Sequence, residues 1–154
     1  MGKEKIIAVN KRARHDYHVL ETFEAGIALN GSEVKSMRTG GVNIKEAFAK
    51  IESAEVFIHS MHINPYEQAS SLNHDPLRIR KLLLHKQEIK RLIGQTSQKG
   101  LTLVPLQIYF KGGRAKIEIA LVKGKKLYDK RDALKKKIMS RETEKTLKQH
   151  QKRI

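Results

Sequence analysis

The chain has no cysteine and no tryptophan, only three prolines in 154 residues, and 16 Asp/Glu against 32 Lys/Arg. Without thiols there is neither a disulfide framework nor a thiolate metal site, as expected in a reducing compartment. No apolar run reaches the roughly 18 residues that suggest a membrane span, and no amphipathic helix rich in Trp or Phe suggests a membrane surface element. Met1-Gly2-Lys3-Glu4-Lys5 leads into no signal-like apolar core, so a cytoplasmic protein is expected. The Gly-x-x-x-x-Gly-Lys-Ser/Thr phosphate loop, His-Glu-x-x-His, a carboxylate cluster and a serine elbow are all missing. Seven histidines do not fill the gap. His15/His18 and His59/His62 are each three apart, which on a strand puts them on opposite faces, a poor metal geometry. No enzyme, cofactor or metal site is expected; a nuclease built on His15 and Asp16 is the least unsatisfactory catalytic reading.

What the chain does have is positive charge. A formal +16 and a pI near 10.1 exceed what solubility needs and imply a polyanionic partner, with nucleic acid ahead of membrane. The charge is unevenly spread: residues 123–154 hold 13 Lys/Arg against 4 Asp/Glu, and the rest of the chain 19 against 12. A segment so charged and so poor in apolar residues cannot offset its ordering entropy alone. The chain therefore reads as one domain, 1–122, and a basic tail, 123–154, disordered when free. At their junction, Tyr128 is flanked by Lys125, Lys126, Lys130 and Arg131. That is the composition of a base-stacking contact, or of a solvated linker.

Within the body, Ile6-Ile7-Ala8-Val9 reads as a buried strand and Asn10 to Asp16 as a basic connector. Lys11, Arg12 and Arg14 make this connector either a solvated turn or a phosphate clamp. Alternation from Tyr17 to Leu29 predicts a long half-buried strand with Phe23, Ala25 and Ile27 inward and Glu24 and Gly26 outward. Ser32 is expected to cap a short helix over 33–38, and Asn43 to Glu46 to open another turn of helix. Strands at 49–52 and 55–63 follow, with a bend near His59-Ser60. Residues 64–77 read as a polar, mobile surface loop. The clearest helix begins at His85, carries Ile89, Leu92 and Ile93, and stops at Lys99-Gly100. A strand over 101–111 switches its core parity near Pro105; Gly112-Gly113 turns the chain into a return strand with Lys116 outward. About six mostly antiparallel strands with bulged corners predict a mainly β fold, a small antiparallel barrel of the oligonucleotide-binding type with short helices.

Four dispersed stretches carry a more specific signal. Asn10-Lys11-Arg12-Ala13-Arg14-His15-Asp16-Tyr17, Gly31-Ser32-Glu33-Val34-Lys35-Ser36, Arg80-Lys81-Leu82-Leu83-Leu84-His85 and Gly124-Lys125-Lys126-Leu127-Tyr128-Asp129-Lys130-Arg131 closely resemble the SsrA-binding protein (SmpB) family, in register from about Ile6 to Arg131. The resemblance implies a non-enzymatic bacterial protein with three helices on an oligonucleotide-binding-type barrel. Such a protein binds the tRNA-like domain of tmRNA and supports trans-translation on stalled ribosomes. It also implies RNA contacts at Glu24, Lys81, Leu83, His85 and Lys116 and along Asn10, Lys11, Arg12, Arg14 and His15. Gly124, Lys125, Lys126, Tyr128, Asp129, Lys130 and Arg131 would be a hinge engaged with the ribosome and its small-subunit RNA. A monomer is expected, with a tail that turns helical on the ribosome. Glu24 then accepts hydrogen bonds from base edges, or else pairs with a nearby Arg or Lys. The alternative function is a ribosomal-RNA-binding structural or assembly protein.

Overall fold

The computed structural model describes residues 4–67, 73–98 and 100–124. The chain divides into Met1–Lys123 and Gly124–Ile154. The readings placed on Lys125, Lys126, Tyr128, Asp129, Lys130, Arg131 and the tail lie outside the described residues.

The described residues form β1 (Lys5–Val9), α1 (Lys11–Asp16), β2 (Tyr17–Ile27), α2 (Gly31–Arg38), β3 (Val42–Asn43), β4 (Phe48–Glu52), β5 (Glu55–His59), β6 (His62–Ile63), β7 (Arg80–Leu83), α3 (Lys86–Thr96), β8 (Leu101–Lys111) and β9 (Arg114–Gly124). The fold is mainly β with three helices. Seven strands make one sheet in the order β1-β8-β4-β5-β7-β2-β9, and β9 pairs again with β8. The sheet thus closes on itself as a ring, with β1 attached outside it to β8; β3 and β6 form a separate small ribbon.

β8 makes this closure possible. One edge follows β9 along its whole length, while the other meets β4 at Leu103 and β1 at residues 107–110. The register against β9 shifts between Pro105 and Gln107, inserting Leu106 as an extra residue. Pro105 has no N–H for the ladder, so the break falls where pairing is already weakest. The extra residue reverses the strand's parity. Leu103 before it and Ile108 and Phe110 after it all reach the main core with Phe23, Ala25, Ile58, Leu82 and Ile117, while Val104 and Leu106 turn to a second core under α1. Each Leu or Ile buried in this way stabilises the fold by about 1.5–3 kcal/mol.

Several expectations are corrected. Residues 11–16 are a helix, not a connector: α1 is only six residues long and buries Ala13 alone, too little for a helical period to register. The segment 80–83 leading into α3 is a strand, paired with both β5 and β2. No helix forms at 43–46; the Asn43 side chain accepts from Lys45 N–H at 3.0 Å and holds a turn. The N-cap of α2 is Asn30 and not Ser32, and Asn30 N–H donates to Glu33 Oε1 at 2.8 Å. Ile93 is 42% exposed, so the apolar stripe of α3 is narrower than its sequence suggests. The expected bend at His59-Ser60 is an end: β5 stops, Ser60 takes φ +60°, and β6 pairs with β3 instead.

A buried polar network fixes the ring against α2. Glu33 sits at 0% exposure and receives hydrogen bonds from Asn30 N–H, from Arg78 Nη2 at 2.6 Å and from Arg80 Nε. Arg80, equally buried, also donates to the carbonyls of Met61 at 2.7 Å and Pro76 at 3.2 Å. Beside it His74 is buried, with Nε2 3.0 Å from the Ile63 carbonyl. That nitrogen must be the donor, so Nδ1 accepts from the Ser32 hydroxyl at 2.9 Å. One side of the 64–77 segment is thereby tied down; its residues 68–72 lie outside the described residues.

Candidate nucleic-acid interface

Strand alternation decides which side chains leave the ring. On β7, Arg80 and Leu82 point inward, so Lys81 and Leu83 must point out. Leu83 is 53% exposed, and it lies opposite Gly26 of β2. A Cβ at Gly26 would come within 3.3 Å of the Leu83 Cβ, so the glycine lets the leucine lie across β2. Next to this pair opens a cleft of about 310 Å³, lined by Gly26, Leu83, Phe110, Arg114 and Lys116 among others. Leu83 and Lys116, 33 positions apart in sequence, therefore share one concavity.

Glu24 lies two residues before Gly26 on the outer face of β2, with its side chain 40% exposed. The hydroxyl of Tyr109 donates a hydrogen bond to Glu24 Oε2, and Lys111 Nζ is 3.6 Å from the same oxygen. The hydrogen bond from Tyr109 is the largest influence on the carboxyl. Together with the charges of Lys111 and Lys116 it outweighs desolvation and holds Glu24 below the usual carboxylate range. Both roles read for Glu24 thus have a basis: a lysine is within reach, and one oxygen is left over.

Among the other residues singled out, Lys81 pairs with Glu55 at 3.1 Å on the same outer face. His85 is exposed as the N-cap of α3, its backbone N–H held by Glu88 Oε1 at 3.2 Å. Lys11, Arg12, Arg14 and His15 are exposed along α1. Lys11 and Arg14 line one cleft with Gln107 and Glu118, and Arg12 lines another with Tyr17, Lys45 and Phe48. Neither cleft shares a lining residue with the one holding Leu83. Asn10 is different from its neighbours. It is 6% exposed, and its amide donates to the Pro105 carbonyl at 3.1 Å and the Ile44 carbonyl at 3.4 Å. Its side chain is committed to the fold at the bulge, where it anchors the start of α1. Gly124 closes β9 and is exposed.

Sequence reasoning turned Arg114 outward with Lys116 but missed Tyr109 and Lys111 as parts of this face. The signal was there: the parity that turns Ile108 and Phe110 inward puts Tyr109 and Lys111 beside Lys116 on the adjacent strand. It also missed Glu33 and Arg80, because two charges in the interior run against the pattern on which the core was read.

A closed antiparallel sheet presenting an apolar-and-basic cleft, with basic helix α1 elsewhere on its surface, has the form of a polyanion-binding module rather than of a pocket for a small substrate. The match to known proteins is narrower. The family model for SmpB protein covers residues 7–149. The SsrA-binding protein of Geobacillus thermodenitrificans is 57% identical over 151 residues, 98% of this chain and 97% of that protein. That of Carboxydothermus hydrogenoformans is 60% identical over 144 residues, covering 94% and 97%. A chain of the solved structure described as "tmRNA-SmpB: a journey to the center of the bacterial ribosome" matches with a TM-score of 0.67 at 53% identity, over 82% of this chain and 93% of that one. The chain belongs to the SmpB (SsrA-binding protein) family.

Proposed function

We propose that this protein binds the tRNA-like domain of tmRNA and brings it to stalled ribosomes for trans-translation, as an adaptor without catalytic activity of its own. The observation that carries the reading is the cleft in which Leu83 lies beside Lys116 and Arg114, with the ionised Glu24 next to it. Family membership over nearly the whole chain supplies the RNA's identity. Lys116 and Arg114 would meet phosphate, which gives affinity without sequence. Leu83 offers a ribose or base an apolar contact. Glu24 would repel phosphate and is suited to base amino or imino groups, so selectivity is assigned to it. Lys81 and His85 extend this contact. Lys11, Arg12, Arg14 and His15 form a second basic surface, available to ribosomal RNA.

The ring is read as an oligonucleotide-binding-type barrel of residues 1–122, acting in the cytoplasm, and 123–154 as a separately acting tail. Gly124, Lys125, Lys126, Tyr128, Asp129, Lys130 and Arg131 would fix where the tail enters the ribosome, and phosphates there would neutralise it enough to form a helix. The test is to crosslink the full chain to RNA in cells and sequence what is recovered. One abundant structured RNA with a tRNA-like end is expected, in free as well as ribosomal fractions. Recovery of ribosomal RNA alone, always with subunits, would overturn the reading in favour of a constitutive ribosomal component.

A further inference from the structure

Both protein partners of Glu24 use the same oxygen. Tyr109, 4% exposed and opposite Lys116 in the β8–β9 register, donates to Oε2, and Lys111 approaches Oε2 as well. Among the described residues Oε1 has no partner. Lys111 is divided between Glu24 and Glu4, 4.0 Å away, on a half-exposed side chain. The phenol is different: packed against the sheet, with one proton to give, and neutral, so it can orient the carboxylate without cancelling its charge.

We propose that Tyr109 is the positioning residue for RNA selectivity: its hydroxyl pins Glu24 through Oε2 so that Oε1 stands as a fixed acceptor for a nucleobase amino or imino group. The inference rests on reading the adjacent cleft as an RNA interface. An unpinned carboxylate on a strand surface would have to give up its rotamer freedom on binding, and pinning removes that loss in advance. The charged and titratable groups facing the pair are Lys111 on β8, Lys116 and Glu118 on β9 and Glu4 just before β1. Burial first, and then the bond to Glu24, push the Tyr109 phenol up, so it remains a donor at every pH of interest. Removing the phenol removes the largest influence holding Glu24 down. The carboxyl then rises, and binding that needs its ionised form fails at a higher pH on acidification.

The experiment measures affinity of the full chain for the tRNA-like domain of tmRNA at fixed salt, from neutral to mildly acidic pH. It uses Tyr109→Phe, Glu24→Ala, the double variant and Lys116→Ala. Tyr109→Phe is expected to bind about three- to tenfold more weakly, with its acid limb displaced to higher pH, and to add nothing once Glu24 is Ala. If Glu24→Ala and Lys116→Ala both bind like the unaltered chain, the RNA reading of the cleft fails. If those two weaken binding but Tyr109→Phe does not, or its defect persists undiminished beside Glu24→Ala, the cleft stands and the role of Tyr109 is overturned. A carbon-detected titration of the unaltered, RNA-free protein provides a check independent of any variant's folding. The Tyr109 ring carbon bearing oxygen should shift as Glu24 titrates, and no shift would refute the pairing.

Discussion

Arg80 and Glu33 meet inside the ring through a hydrogen bond from Nε to Oε2, and neither side chain is exposed. Burial pushes the Glu33 carboxyl up, but bonds from Arg78, Asn30 and Arg80 and the charge of Arg80 more than offset it, so the group sits below its ordinary value. A depressed carboxyl contributes stability that is complete above its unfolded value and disappears as pH falls through the folded one. Unfolding by acid should therefore be steepest below the usual carboxylate range. In Arg80→Met, Glu33 keeps Arg78 and Asn30 and the Pro76 carbonyl keeps the Ile63 N–H, but the Met61 carbonyl loses the guanidinium that donates to it. A loss of roughly 3–5 kcal/mol is expected in urea denaturation, and the acid transition should move to higher pH. A loss within experimental error would mean the network is replaceable packing.

The β4–β5 hairpin turns through Ser53 and Ala54 at φ +51° and +60°, a conformation that costs a residue with a side chain about 1–3 kcal/mol. The β8–β9 hairpin solves the same problem with Gly112 and Gly113 at +58° and +76°. Ser53→Asn with Ala54→Gly installs the dipeptide that favours this two-residue turn. The double variant should be more stable by about 1 kcal/mol in thermal melts, with RNA affinity unchanged. A lower melting temperature would show that the turn's own side chains contribute.

Lys116→Ala should weaken binding to tRNA-like RNA and flatten its log–log salt dependence by about one unit, the signature of one lost phosphate contact. Leu83→Ala should weaken binding without changing that slope. It should also melt with the parent, since the side chain is half in solvent. Identical slopes for Lys116→Ala and the parent would remove the lysine from the phosphate contacts.

Truncation after Arg131 should separate two activities on one protein. Binding to the tRNA-like RNA is expected to stay nearly intact, while rescue of stalled ribosomes in a reconstituted translation reaction is lost. Survival of rescue, or loss of both together, would contradict the proposed division between body and tail.

The long-period features of the fold were legible in the sequence. Alternation along β2 placed Phe23, Ala25 and Ile27 inside and Glu24 outside, and Pro105 marked the bulge in β8. Two short elements were not, although β1, α2 and β4 were. Six residues around Ala13 carry no periodicity, and the strand Arg80–Leu83 hid because its inward positions alternate Arg with Leu. Only the partner, Glu33, makes an inward arginine sensible, and that partner is 47 residues away. For the interface, single outward residues such as Glu24, Leu83 and Lys116 could be read from parity and from the family motifs. Their convergence could not, because it depends on which strands become neighbours in the ring. Asn10 illustrates the opposite failure: a polar residue beside three cations reads as surface, yet it is buried and its amide nitrogen donates to backbone carbonyls.

The tie between Asn10 and the Pro105 carbonyl also sets an order of events during synthesis. The two residues are 95 positions apart, and β1 finds its ladder partners only at residues 107–110 of β8. The N-terminal strand is therefore the first made and among the last to be seated. Until β8 has emerged and folded back with β9, α1 has Tyr17 and Val19 of β2 beside it but lacks Val104 and Leu106, which complete the second core around Ala13. A nascent copy leaving the ribosome thus carries its basic N-terminus only partly assembled, and the RNA surface proposed for α1 matures only after most of the body has been translated.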